Sequence, residues 1–220
     1  MRKGGDSISI KQYVSDAEEM IEYIRKEFGH QKIFLMGTSF GTYLGMRMVA
    51  KHPDWIHAYI GVGQVVKMTD HARDEFDKLY DYASEKGLVD LKKELEELEP
   101  YPDPDNIAQS FFANANVLMD HSSRLGKAYP DSVAALFSMA SISKWISPHY
   151  TLTDNLHRKF GSVPDAKHPF AEEFMQYDLP SEIGVDFNVP IFFFSGKHDF
   201  HVSFDIADRW FQTINAPLKE

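Results

Sequence analysis

The sequence predicts an α/β fold in which a parallel sheet is covered by helices and interrupted by a large helical insertion. Two short apolar segments, residues 33–36 and 56–63, alternate with helical patterns, and a third at residues 191–194 follows much later in the chain. Strands that alternate with helices are typical of parallel sheets with crossover connections. Because the runs at residues 33–36 and 191–194 are continuously apolar, we expect those strands to be covered on both faces.

Three helical patterns belong to the predicted sheet. An amphipathic pattern precedes the first strand and ends at Gly29, and another follows that strand as far as His52 and Pro53. The third extends from Ser203 to Ile214, after the last strand. Each has an apolar stripe at helical spacing, which is the face that a helix packs against a sheet.

Residues 64–178 differ from the rest of the chain. They contain charged helical patterns over residues 70–98, a proline-rich break at residues 100–104, and apolar helical patterns at residues 106–127 and 131–145. No alternating strand pattern interrupts them. We therefore predict a helical cap at residues 64–178, inserted into a core formed by residues 1–63 and 179–220. The charged runs are most simply solvated helix faces.

A serine lies between two glycines where the first strand meets the next helix, in Gly37-Thr38-Ser39-Phe40-Gly41. A Gly-x-Ser-x-Gly motif between a strand and a helix indicates a nucleophile on a sharp, strained turn, and bulkier residues at the glycine positions should collide with the packing around it. The hydroxyl would lie at a helix N-terminus, which favours developing negative charge. A chance motif in a loop is the alternative, but the flanking strand and helix favour a nucleophile.

Asp199 follows the last predicted strand. Ligands and catalytic groups gather at the carboxyl ends of parallel strands, so Ser39 and Asp199 should lie at the same edge. A serine nucleophile needs a base and a carboxylate that orients the base, and Asp199 suits the second role. The alternative is an aspartate that only caps its loop.

None of the ten histidines is predicted to be the base. His198 and His201 lie too near Asp199 in sequence to bridge it to the serine. His52 and His57 belong to the opposite edge of the sheet.

Together these segments resemble the α/β-hydrolase superfamily, and within it the proline iminopeptidase-like branch. The similar segments are residues 13–18, 37–42, 61–66 and 189–199. The resemblance implies that Ser39 is the nucleophile, that Asp199 is the triad acid, and that the backbone N–H of Phe40 is one oxyanion donor. The chain departs from the branch at Phe40, where relatives commonly have Trp, and at Thr38, where they often have His or Gln.

The resemblance also implies two parts that the sequence does not contain. The triad histidine should follow one further strand, beyond residue 220, and a glycine-rich loop with the second oxyanion donor should precede residue 1. We therefore expect the chain to be a fragment of a longer hydrolase, inactive and poorly stable by itself.

Composition narrows the function further. A formal net charge of −10 argues against nucleic acid as a partner. The absence of cysteine excludes disulfides and thiolate metal sites, and no histidine and carboxylate spacing predicts a metal or another cofactor. No apolar run approaches the ~18 residues of a membrane span, so a cytoplasmic location without membrane contact is expected.

The predicted function is that of a serine hydrolase acting on a small molecule or short peptide. Its substrate would be a peptide N-terminus, such as N-terminal proline, or a small ester or amide. Acidic residues of the cap could bind a substrate ammonium group, with four candidates: Glu94, Glu96, Glu97 and Glu99. The alternative is a catalytically inert binding protein that uses the same pocket.

Overall fold

The computed structural model describes residues 9–125 and 169–220, and at its centre is a parallel sheet. Three strands pair in the order β1-β2-β3: β1 Ile33–Thr38, β2 Ile56–Val62 and β3 Ile191–Phe194. Residues 218–220 extend the sheet beyond β3, because the Ile191 N–H donates to the Leu218 carbonyl at 2.9 Å. The predicted strands and their parallel direction are therefore confirmed.

The helices of the described residues follow the predicted order. They are α1 Ile10–Glu27, α2 Phe40–Lys51, α3 Met68–Lys86, α4 Val89–Glu96, α5 Ile107–Arg124, α6 Pro169–Gln176, α7 Leu179–Ile183 and α8 Phe204–Thr213. Serine caps start two of them, since Ser9 accepts the Gln12 N–H and Ser203 accepts the Ile206 N–H. The helix predicted at residues 131–145 lies outside the described residues.

Helices cover one face of the sheet. Tyr59 of β2 is buried so closely beneath α2 that a Cβ atom added to Gly45 would lie 2.6 Å from its ring. Further along the same face, the ring of Phe193 lies 6.0 Å from that of Trp210 in α8. The main core lies between this face and the helices.

The opposite face remains open in the described part of the chain. Phe34, Met36 and Phe194 are 71%, 65% and 60% exposed. Successive side chains of a strand point to opposite faces, and the strand register places these three side chains on the face opposite Tyr59. The expectation that both strands are covered on two faces is therefore wrong here. An apolar run shows that a strand tolerates burial, but not which element covers it.

The segment at residues 64–178 begins and ends at adjacent points. Lys67 and Asp178 form an antiparallel bridge, and the Leu179 N–H donates to the Val66 carbonyl at 3.0 Å. The chain therefore returns after residue 178 to the point that it left after β2, and the assignment of residues 64–178 as a cap stays a prediction. Across the two described ranges, no helix is both long and apolar enough to span a bilayer.

Candidate active site

Ser39 occupies the turn between β1 and α2 in a strained backbone conformation. Its φ and ψ are 52° and −128°, and it is the only non-glycine residue with a positive φ in the described part of the structure. Its N–H donates to the Val62 carbonyl at 3.1 Å, and its own carbonyl accepts from the Thr42 N–H at 2.8 Å and the Thr42 hydroxyl at 2.6 Å. Such strain persists only where surrounding contacts hold it, and it is often found at functional sites.

The two glycines of the motif have different roles. A Cβ atom at Gly37 would lie 2.5 Å from the Gly41 carbonyl oxygen, so this position cannot accept a side chain without moving backbone. A Cβ atom at Gly41 would meet none of the neighbouring atoms within 4 Å. The predicted collision is therefore present at Gly37 and absent at Gly41, which supplies the backbone against which Gly37 packs.

The Ser39 side chain lies at the N-terminus of α2 without capping that helix. The first N–H groups of an α-helix have no intrahelical acceptor, and the helix dipole makes this end partly positive. The Phe40 N–H, the first of α2, could therefore donate a hydrogen bond to an oxyanion formed beside Ser39. Negative charge beside Ser39 would therefore be stabilised by this end of α2.

A cavity of about 160 Å³ adjoins Ser39. Its walls come from the start of α2, the segment after β2, helices α3, α5 and α6, and the loop after β3. The polar side chains that line it are Ser39, His71 and His201. Most of the remaining wall is aromatic: Phe40, Phe111, Phe112, Phe174 and Tyr177.

Asp199 lies in the loop between β3 and α8 and caps that loop. Its Oδ1 accepts the backbone N–H groups of His201 at 2.9 Å and Val202 at 3.0 Å. Burial raises the pKa of Asp199, while these two N–H groups oppose that change. Within the described residues, Oδ2 accepts no hydrogen bond and Asp199 does not line the cavity. The capping role is observed, and the triad role stays a prediction.

His201 was excluded by the sequence argument, yet it lines the cavity together with Ser39. Its Nδ1 lies 3.1 Å from Oε2 of Glu75, and Oε1 of Glu75 accepts the Ser122 hydroxyl at 2.9 Å. Burial lowers the pKa of His201, but the hydrogen bond and charge of Glu75 outweigh it, so the pKa is raised.

Glu75 is only 3% exposed, although its charged neighbours in sequence predicted a solvated face. The sequence around Glu75 does not predict its burial, because its partner His201 lies 126 residues further along the chain.

His71 also lines the cavity, but its ring nitrogens contact the backbone of two neighbouring segments. Backbone N–H groups face both nitrogens, Val66 at Nε2 and Ser203 at Nδ1, each at 3.1 Å. A neutral imidazole has one acceptor nitrogen and can accept one of these two N–H groups, whereas a doubly protonated ring can accept neither. Burial lowers the pKa of His71 to about 4, which keeps the side chain neutral near pH 7.

The four glutamates suggested for a substrate ammonium group are exposed, and none lines the cavity. Three have partners in the insertion: Glu94 with His121, Glu96 with Tyr80 and Glu99 with Arg73. Among the side chains that the structure describes, no group of three or more His, Asp or Glu residues is arranged to hold a metal ion.

Comparison with known proteins identifies the fold. The sequence pattern of the alpha/beta hydrolase fold matches residues 3–87. A curated relative, the probable aminopeptidase YbaC of Bacillus subtilis (strain 168), is 22% identical over 213 residues. That alignment covers 97% of this chain but only 64% of the relative, so the chain spans less than two thirds of that protein's length.

Solved structures agree with the sequence match. The structure of VinJ has a TM-score of 0.55 at 14% identity, covering 100% of this chain and 67% of VinJ. The acetyl esterase MekB has a TM-score of 0.50 at 12% identity, covering 100% of this chain and 63% of MekB. The chain therefore has the α/β-hydrolase fold.

Proposed function

We propose that this chain contains the catalytic serine of a hydrolase that cleaves esters or amides through an acyl-enzyme. The supporting observation is the strained Ser39 backbone at the N-terminus of α2, beside a cavity. The Ser39 hydroxyl oxygen attacks the substrate carbonyl carbon while a base takes its proton. The Phe40 N–H donates to the resulting oxyanion, and the base returns the proton to the leaving group. Water then releases the acyl group.

Two arrangements can supply the base. In the first, Asp199 orients a histidine that the family resemblance places beyond residue 220. Oδ2 of Asp199 then accepts a hydrogen bond from an N–H of that imidazole. In the second, His201 is the base and Glu75 its orienting carboxylate, since Glu75 engages Nδ1 and leaves Nε2 for proton transfer. The raised pKa of His201 suits a proton acceptor near neutral pH. We propose the first, because it follows the order of the family.

The name of the curated relative supports an aminopeptidase, and that of MekB an acetyl esterase. We therefore propose peptide N-termini, such as N-terminal proline, or small esters and amides as the substrate class, with residues 64–178 as the cap. An inert binding protein with the same pocket is the rival proposal. Binding alone does not require a serine in a strained conformation at a helix N-terminus, so the Ser39 backbone favours the enzyme.

The test is covalent labelling with a fluorophosphonate of a protein that extends past residue 220 and so contains the proposed histidine. Mass spectrometry then locates the modified residue. We expect modification of Ser39, its loss in Ser39→Ala, and its retention in Ser84→Ala, where the replaced serine is exposed on α3. A His201→Gln variant that labels as fast as the wild type would favour the Asp199 arrangement. Modification of a different serine in a folded protein would contradict the assignment of Ser39.

A further inference from the structure

We propose that the cavity beside Ser39 holds the acyl group of the substrate, and that this group is uncharged, apolar and about the size of a six-membered ring. The inference rests on the proposed function and narrows it to esters or amides of such acids, with phenylacetic acid as the simplest probe. It excludes peptide N-termini, because the acyl group of an N-terminal residue carries an ammonium. In an acyl-enzyme the acyl group stays attached to Ser39, whereas the leaving group must diffuse away. A cavity with Ser39 in its wall therefore suits the part that stays.

The volume of the cavity limits the size of this group. At about 160 Å³, it is similar to the apolar cavity of about 150 Å³ that binds benzene in another protein. An acetyl group would leave most of this space empty, and the lost contacts would weaken binding. A long alkyl chain would have to extend out of the cavity into solvent.

The aromatic wall is a packed cluster whose rings hold one another in place. Phe174 lies at its centre, with ring centroids 5.5 Å from Phe40, 6.0 Å from Phe112 and 5.6 Å from Tyr177. Contacts at these distances favour tilted and edge-to-face geometries, which a ring of the substrate can continue. A preformed wall also reduces the entropy that is lost when a ligand binds.

The charge of the wall limits the chemistry of the group. None of the described residues that line the cavity is a carboxylate, a lysine or an arginine. Both nitrogens of His71 face backbone donors, and Nδ1 of His201 is engaged by Glu75. An ammonium placed deep in this cavity would meet no carboxylate in the described wall, at a cost of several kcal/mol. A carboxylate would meet only His201, and Glu75 already balances the charge of that ring when it is protonated. The group that enters should therefore be uncharged.

The first experiment measures binding without turnover. 4-Fluorobenzyl alcohol is titrated into the 220-residue chain and followed by ¹⁹F NMR. Val202→Phe, which adds a ring to the cavity wall, should weaken binding by about tenfold or more. The matched control is Val89→Phe, because Val89 is 74% exposed on α4 and distant in sequence from the cavity residues. Equal affinities in wild type and a folded Val202→Phe would overturn the inference.

The second experiment enlarges the cavity and does not depend on Val202→Phe folding. In the protein that extends past residue 220, nitrophenyl esters of acetic, phenylacetic and decanoic acid are compared, and Ser39 acylation is followed by mass spectrometry. The wild type should prefer phenylacetate, and Phe112→Ala should shift the preference toward decanoate by about tenfold. Ser39-dependent reaction that is fastest with acetate would overturn the inference while leaving the hydrolase proposal intact. Binding that Val202→Phe blocks, without any acylation of Ser39, would contradict the hydrolase proposal alone.

Discussion

The turn between β1 and α2 and the loop between β3 and α8 lie at the same edge of the sheet, but different contacts hold them. Ser39 is held by Val62 and Thr42, and Gly37 packs on Gly41, all within a short stretch of chain. The loop of Asp199 is instead held by α3. Three contacts join it to that helix: His201 with Glu75, the Ser203 N–H with His71, and Asp205 with Lys78. The two residues of each contact are more than a hundred residues apart in the chain.

This difference indicates that the serine turn is held by β1, β2 and α2, whereas the geometry of the segment at residues 195–205, the acid loop, depends on α3. A change in the serine turn should therefore act through backbone strain and packing close to the turn. A change in α3 should alter the acid loop and the cavity while leaving the turn in place.

Gly37→Ala should destabilise the protein by about 3 kcal/mol, because its Cβ atom would lie 2.5 Å from the Gly41 carbonyl oxygen and backbone would have to move. Gly41→Ala is the matched control, since its Cβ atom meets no neighbouring atom within 4 Å. That change should stay within about 1 kcal/mol, and helix propensity makes it favourable. Urea unfolding measures both variants. Equal losses would show that local packing does not distinguish the two glycines.

His71 should make the stability of the acid loop depend on pH. Its pKa is lowered by burial to about 4 from an ordinary 6.5, with smaller influences from Asp74, His201 and Lys78. The unfolded chain therefore binds a proton below pH 6.5, while the folded protein does so only near pH 4. The free energy of unfolding should fall as the pH falls through this window, by up to about 3 kcal/mol. Above pH 6.5 this contribution is complete.

The measurement compares urea unfolding at several pH values for the wild type and His71→Gln. The variant lacks the titrating ring, so its stability should vary less between pH 6.5 and 4. Identical pH profiles would mean that another group, and not His71, accounts for the loss in acid.

Glu75→Ala should cost about 2 kcal/mol, because it leaves the His201 ring and the buried Ser122 hydroxyl without their shared acceptor. Glu75→Gln keeps an acceptor but removes the charge, so it should cost less. In both variants the pKa of His201 should fall, because Glu75 raises it in the wild type. An NMR titration of the histidine measures this change.

Amide chemical shifts locate the structural effect of the same two variants. They should change at residues 199–205 and stay constant at residues 37–42. Shifts of equal size in both segments would contradict the idea that the serine turn is held independently of α3.

These contrasts explain how much of the molecule could be predicted from its sequence. The three strands, helices α1, α2 and α8, and the Ser39 turn have local signals, since periodicity and glycine spacing are properties of neighbouring residues. The burial of Glu75 and the position of His201 could not be predicted, because each depends on the other across the insertion. The open face around Phe34 has the same cause, since a strand sequence does not specify the element that covers it.

The smallest effect is expected at the outer contact of the acid loop, where Lys78 Nζ lies 2.9 Å from the Asp205 carboxylate. The Asp205 side chain is 65% exposed, so water and salt screen the pair, and Lys78 keeps Asp74 at 2.7 Å as a second partner. Asp205→Asn should therefore change the free energy of unfolding by less than about 1 kcal/mol, and less still in high salt. Urea unfolding beside Glu75→Ala makes the comparison direct. A loss at Asp205 as large as that at Glu75 would mean that surface charge, rather than the buried His201 contact, holds the loop to α3.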